Sequence, residues 1–254
     1  MIIDGNTAFT GGTNLGKEYL GRPGTHQWRD FAIQLFGPVC LQLQEVFRED
    51  WKFTTHEDLS HEKYFPPTTP QGKARIQLLE SGPDTAFRSL HQMIFWAITS
   101  ASKQISLMTP YFIPDRALLT ALEVTALKGV DLKLILPQKN DQKLVRYASR
   151  SFYGELLRAG IKIYEFEPKI LHAKLMTVDD DFTLIGSGNM DIRSFRLNFE
   201  ITLLVQDKEV TQQAQQLFDH DLKKSINISR EDFSKRGLFN EVIENACRLL
   251  TPIL

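Results

Sequence analysis

The sequence holds only two cysteines in 254 residues, Cys40 and Cys247. That is too few for a disulfide framework or a Cys-rich zinc module. It has no run of about 18 apolar residues, so no transmembrane helix is expected within it. It lacks any excess of basic charge, because 30 Lys and Arg stand against 31 Asp and Glu for a formal charge of -1. Such a balance argues against a dedicated nucleic-acid binder while leaving room for a local basic pocket. Metal-ligand spacings of the His-x3-His or Cys-x2-Cys kind are absent from the sequence, so no metal is expected. The opening residues Met1 to Asn6 read as a strand and a turn, and neither as a signal peptide nor as a capped helix.

What remains is ordinary globular composition, 42% apolar and 24% charged, enough to bury one large core or two moderate ones. Residues 64–72, with three prolines and a glycine, suit an extended connector. Beyond them strand-like and helix-like stretches alternate. Ile76–Leu79 reads as a strand, and Asp84 as the cap of a helix carrying Phe87, Leu90, Ile94 and Ile98. Gln104–Met108 is a strand. Asp115 caps a helix with Leu118, Leu119 and Leu122 that Gly129 ends. Val130–Leu136 is a strand, Val145–Ala159 a helix closed by Gly160, and Ile161–Phe166 another strand. This alternation predicts an α/β fold with a sheet flanked by helices. Before the connector, Val39–Trp51 is helix-like.

The chain matches itself. At a shift of about 175, Asp4, Gly11 and Asn14 fall on Asp179, Gly186 and Asn189. At about 170, Asp30 meets Glu200, each opening an apolar strand. At about 171, Gln44, Phe47 and Asp50 meet Gln215, Phe218 and Asp221. Drifting offsets are what insertions in a duplicated unit produce.

The chemistry concentrates in the second copy. Leu171–Val178 alternates as a strand, which puts His172 and Lys174 on one face. An ammonium beside an imidazole suits a phosphate: one supplies charge, the other can attack phosphorus or move a proton near neutral pH. Gly186-Ser187-Gly188 allows close approach of an oxyanion, and the Asn189 amide can donate to it. Glu200 is expected to hold the imidazole in one tautomer. The other histidines, His26, His56, His61, His91 and His220, have no partner spacing and read as structural or surface residues.

His172-Ala-Lys174-x4-Asp179-x6-Gly186-Ser187-Gly188-Asn189 resembles the repeated signature of the phospholipase D superfamily. Thr109-Pro-Tyr-Phe-Ile-Pro-Asp115, Leu144–Tyr153, Asn189–Glu200, Phe9–Gly16 and Arg248–Leu254 resemble its bacterial cardiolipin synthase branch, so the resemblance covers essentially the whole chain. It implies a duplicated phospholipase D fold with two signatures across a pseudo-twofold axis and two histidines facing one phosphate. One histidine would form a phosphohistidine, and the other would protonate the leaving alkoxide. The implied reaction moves a phosphatidyl group from one phosphatidylglycerol to another and needs no cofactor. The implied partners are a phosphatidylglycerol-like phospholipid and a membrane surface, with no nucleic acid, and the implied location is cytoplasmic and membrane-associated. By position, His172, Lys174 and Asp179 form the catalytic signature, with Asp179 supporting the strand and turn. Ser187, Asn189, Glu200 and Asn14 would bind phosphate or support the site, Tyr111 and Arg146 would line its mouth, and Asp4 is what remains of the first signature.

On this reading the first repeat is incomplete. Residues 1–63 are its C-terminal remnant, 64–72 a linker, and 73–254 a complete second repeat with the phosphodiesterase motif at about 166–193. The counterparts of His172 and Lys174 fall before Met1, so the chain reads as a fragment, its membrane anchor missing. Two rival readings are a nuclease-like phosphodiesterase in which two chains each lend a His172, and an inactive remnant serving as a binding module.

Overall fold

The computed structural model describes residues 1–20, 27–84 and 88–251; His26 and Phe87 and the last three residues of the closing motif lie outside them. In chain order come β1 (Ile2–Ile3), β2 (Thr7–Gly11), β3 (Ala32–Phe36), α1 (Val39–Thr55), β4 (Arg75–Ser81), α2 (Ser89–Ser100), β5 (Gln104–Met108), α3 (Arg116–Leu127), β6 (Asp131–Pro137), α4 (Lys143–Arg150) and α5 (Tyr153–Arg158). There follow β7 (Lys162–Phe166), β8 (Leu175–Val178), β9 (Phe182–Gly186), α6 (Ile192–Arg196), β10 (Glu200–Gln206), α7 (Lys208–Leu222), β11 (Ser225–Ile228), α8 (Arg230–Ser234) and α9 (Leu238–Leu249). An eight-stranded sheet runs β11-β7-β6-β5-β8-β9-β10-β4, and β1-β2-β3 form a small sheet of their own. The strands joined through crossover helices, β5 to β6 and β6 to β7, pair in parallel, and the rest are antiparallel.

Period-two alternation drives the layering. Leu132, Leu134 and Leu136 on β6 turn to one core with Ile98, Leu118 and Leu122 of the covering helices. Ile135 turns to the other, where it joins Leu175, Ile185, Phe218 and, from the small sheet and α1, Ala8, Leu35 and Leu43. The sheet is thus buried on both faces. Asp115 caps α3 through the Leu118 N–H, and Gly129 and Gly160, at φ of 95° and 88°, turn the chain out of α3 and α5.

Three expectations need correction. α2 begins at Ser89 behind Arg88, so Asp84 does not cap it. The single helix over Val145–Ala159 is two, because the Ser151 hydroxyl bonds back to the Ala148 carbonyl at 2.6 Å and the turn at 151–152 ends α4. β8 starts only at Leu175; the residues before it are held by a single bridge between Leu171 and Arg29.

The self-match is also a match of registers. Ile3 pairs with Thr7 as Val178 pairs with Phe182, and Gly11 pairs with Ala32 as Gly186 pairs with Thr202. Asp4 and Asp179 both sit at positive φ, 50° and 52°, in their hairpin turns. A Cβ on Gly11 would strike the Phe31 carbonyl and come within 2.8 Å of Ala32 Cα; on Gly186 it would strike the Ile201 carbonyl and come within 2.7 Å of Thr202 Cα. Backbone cannot swing aside as a side chain can. Gly186→Ala is therefore expected to cost about 2 kcal/mol, read as a lower urea midpoint at unchanged slope.

Residues 65–74 contain no helix or strand. They lie against the small sheet's turns: a Cβ on Gly5 would meet the Pro66 ring at 2.6 Å, and one on Gly37 the Thr69 carbonyl oxygen at 3.1 Å.

Candidate active site

The segment entering β8 runs beside the segment entering β3. The Arg29 N–H donates to the Ile170 carbonyl at 2.9 Å, and the His172 N–H donates to the Arg29 carbonyl at 2.7 Å. This bridge carries Asp30 to His172: its Oδ2 lies 2.8 Å from Nδ1 of the imidazole. The Asp30 side chain is 1% exposed, and its Oδ1 accepts the Phe31 N–H at 2.8 Å. A carboxylate only accepts, so Nδ1 carries a proton, and in the neutral ring Nε2 is then the nitrogen with the lone pair. The Tyr19 hydroxyl stands 2.9 Å from Nδ1 and donates to Asp30 Oδ2 at 3.2 Å. The rings of Trp28, Tyr19 and Tyr111 surround the imidazole at centroid distances of 4.9, 6.3 and 6.3 Å.

Lys174 points to the same place. Its Nζ donates to the His172 carbonyl at 2.5 Å and stands 2.7 and 3.2 Å from Nδ1 and Nε2. It lies 3.9 Å from Asp30 Oδ2 and is buried. Burial pulls its pKa down to about 8, partly offset by Asp30, Glu200, Asp191 and Asp141. The ammonium therefore persists below about pH 8 and is lost above it. If it binds phosphate, turnover falls about tenfold per pH unit above 8, a limb that a rate profile from pH 6 to 10 would reveal. A flat profile over that range would separate Lys174 from the chemistry.

Asn189 is buried beyond β9, its backbone N–H donating to the Ser194 hydroxyl at 2.9 Å. Among the described residues its Oδ1 has no hydrogen-bond partner. Its neighbours Gly188 and Met190 line a small cavity together with Lys174 and Thr109. An unpartnered buried amide oxygen is costly unless a donor completes it; the amide N–H group is the part that could donate to a phosphate oxygen.

Glu200 does not meet His172. Its Oε1 accepts from the Ser194 hydroxyl at 3.2 Å and the Asn198 amide at 3.1 Å; the carboxylate at the imidazole is Asp30, which the self-match equates with Glu200. Asp179 stands at the far end of β8 from His172 and does not contact it. Its carboxylate accepts from the Ser102, Lys103 and Gln104 N–H groups and the Ser102 hydroxyl at 2.8 to 3.0 Å. Burial raises its pKa, but these donors outweigh it and hold the group below the usual carboxylate range. The Ser187 hydroxyl is committed to Ile201, accepting its N–H at 3.0 Å. Asn14 is exposed, and its backbone, not its amide, bonds the Tyr19 phenol. Asp4 is exposed in its turn, remote in function from a carboxylate that reaches the imidazole. The Tyr111 hydroxyl donates to both Asp141 oxygens at 2.8 and 2.9 Å.

Sequence reasoning missed Asp30, Tyr19 and Trp28. The signal for Asp30 was present in its match to Glu200.

Comparison with known proteins matches residues 94–222 to the family described as "Cardiolipin synthase, PLD-like domain". Cardiolipin synthase 2 of Bacillus anthracis is 42% identical over 100% of this chain and 50% of that protein. Cardiolipin synthase of Geobacillus sp. (strain WCH70) is 40% identical over 100% of this chain and 51% of that protein. The chain spans about half the length of the curated relatives it matches. Among solved structures, phosphatidylserine synthase of Haemophilus influenzae Rd KW20 aligns with 99% of this chain and 67% of its own at a TM-score of 0.66 and 14% identity. The phospholipase D family member Nuc from Salmonella typhimurium aligns with 62% of this chain and 99% of its own at 0.53 and 19%. At such identities the likeness is one of fold.

Proposed function

Because the chain belongs to the cardiolipin synthase family of phospholipase D-like domains, we propose that it provides one half of a phosphatidyl-transfer site acting on phosphatidylglycerol. Residues 1–63 belong to one repeat, 64–72 connect, and 73–254 form the other. Asp30 fixes the Nδ1–H tautomer of His172, and Nε2 attacks the phosphorus of the donor lipid. The P–N bond forms as the P–O bond to glycerol breaks, and the glycerol oxygen takes a proton from a second acid. In the second step that group removes the proton from an acceptor hydroxyl, which attacks phosphorus. The P–N electron pair then returns to Nε2. Donor and acceptor lipid become cardiolipin and glycerol, with no cofactor. Lys174 and Asn189 hold the non-bridging phosphate oxygens, where charge builds as the nucleophile adds. The second acid is a histidine equivalent to His172. Glu200 would hold it as Asp30 holds His172.

The reaction takes place at a membrane surface on the cytoplasmic side, without nucleic acid; no described helix is long and apolar enough to cross a membrane. The observation that carries the proposal is the buried contact of Asp30, His172 and Lys174. The test is incubation with a short-chain phosphatidyl p-nitrophenyl ester, whose leaving group departs without a proton from the second acid, followed by mass spectrometry for a base-stable, acid-labile phosphatidyl adduct. The wild-type chain is expected to acquire it at His172, and His172→Ala to acquire none. An adduct that persists in His172→Ala, or a wild-type chain that neither gains the adduct nor releases p-nitrophenolate, overturns the proposal.

A further inference from the structure

An open cavity of about 590 Å³ lies at the C-terminal ends of β6 and β7. Its walls carry Lys139, Lys143, Arg146 and Arg150 and one carboxylate, Glu165. That carboxylate is taken: Arg150 binds it directly and also reaches Glu244 at 3.0 Å. The other three cations form no ion pair among the described residues. Lys139 and Lys143 are exposed. Arg146 donates Nε to the Gln138 carbonyl at 2.7 Å, which steadies the guanidinium and leaves its outer N–H groups free. Uncompensated positive charge gathered in a concave wall is an anion's site.

The cavity is tied to the imidazole through two short links. The Asn140 amide donates to the Pro110 carbonyl at 2.9 Å, holding the loop after β6 against the loop after β5. From that second loop Tyr111 sets its ring on His172 and its hydroxyl on Asp141. The chain of contacts from the imidazole to the loop that carries Lys139 and leads to Lys143 thus runs through one phenol and one carboxylate, a pair suited to hydrogen-bonding a polyol.

The transfer reaction gives such a place a purpose. Both lipids are anions, and Lys174 and Asn189 can satisfy only the phosphate under attack. The acceptor brings a second phosphate, joined to its attacking hydroxyl by a three-carbon glycerol. We propose that the cavity of Lys139, Lys143 and Arg146 is the acceptor subsite: it binds the phosphodiester of the incoming hydroxyl-bearing phospholipid, whose glycerol passes Asp141 and Tyr111 to reach His172. This inference rests on the phosphatidyl-transfer reading and adds to it the residues that select the acceptor.

Calorimetric titration of the chain with dihexanoyl phosphatidylglycerol below its micellar concentration tests it. The wild type is expected to bind two equivalents and Lys174→Ala one. Adding Lys139→Glu and Lys143→Glu to Lys174→Ala should weaken that remaining site at least about tenfold, since both residues are exposed and their reversal turns attraction into repulsion. Dihexanoyl phosphatidylcholine, with no net charge and no free hydroxyl, should bind the same site at least about tenfold less well. An unchanged affinity after the double reversal, with circular dichroism confirming the fold, overturns the subsite. So does inorganic phosphate that binds as tightly as the lipid, which would make the cavity a bare anion site. Failure of the transfer reading itself shows elsewhere, as a wild-type chain that gains no His172 adduct from the p-nitrophenyl donor.

Discussion

On the proposed reading, Lys174→Ala is expected to lower the rate of phosphatidyl transfer to His172 from a p-nitrophenyl donor lipid at least about 100-fold, mostly in kcat. The ammonium is buried beside the imidazole, where a charge interacts far more strongly than it would in water. As Nε2 adds to phosphorus, negative charge on the non-bridging oxygens grows, and a preplaced cation gains more from that state than from the bound substrate. Removing one such donor costs two to three orders of magnitude in comparable sites. Lys174→Arg is not a rescue, because a guanidinium needs more room than the ammonium occupies between the His172 carbonyl and Asp30. Initial rates at saturating short-chain lipid are the measurement, and a rate within threefold of wild type would remove Lys174 from the mechanism.

Glu244→Ala should lower folding stability by about 3–5 kcal/mol. Glu244 is 2% exposed in the middle of α9. One oxygen accepts from Arg150 at 3.0 Å, and the other from Arg236 at 2.9 Å. Truncation leaves each guanidinium with one carboxylate, Arg150 with Glu165 and Arg236 with Glu241, and removes two buried hydrogen bonds between charged groups, each contributing about 1.5–3 kcal/mol. The carboxylate joins α9 to α4 and to the end of α8, so the C-terminal helix should loosen first. Urea denaturation followed by far-ultraviolet circular dichroism gives the midpoint; a loss below about 1 kcal/mol would mean the arginines reach solvent without cost. Glu244→Gln should fall between, since it keeps the shape and loses the charge.

Much of the fold is legible because strands buried on both faces and amphipathic helices write different periods. β5, β6 and β7, the Asp115 cap and the stops at Gly129 and Gly160 all follow from that local code. What it misses is tertiary. Nothing in Val145–Ala159 announces that Ser151 would turn its hydroxyl back on the preceding carbonyl. Nothing near Asp84 says that the following helix would wait until Ser89. β11 and α8 are short, and their apolar residues too few to set a period. The site shows the same division. His172, Lys174 and Asn189 are visible as a spaced signature, whereas Asp30 lies 142 residues from the imidazole it holds. Choosing between it and Glu200 requires knowing that the copies face each other.

Exchange of partners across the two copies has an evolutionary price. A duplicated module can ordinarily drift once its sister carries the activity. On the proposed reading the carboxylate that aligns His172 is encoded in the opposite copy, so a change in either lands on both. A chimera that combined residues 1–63 of one relative with the remainder of another would place a foreign acid against a native base. Such grafts should succeed between close kin and fail between distant ones, at a divergence where each parent still works by itself.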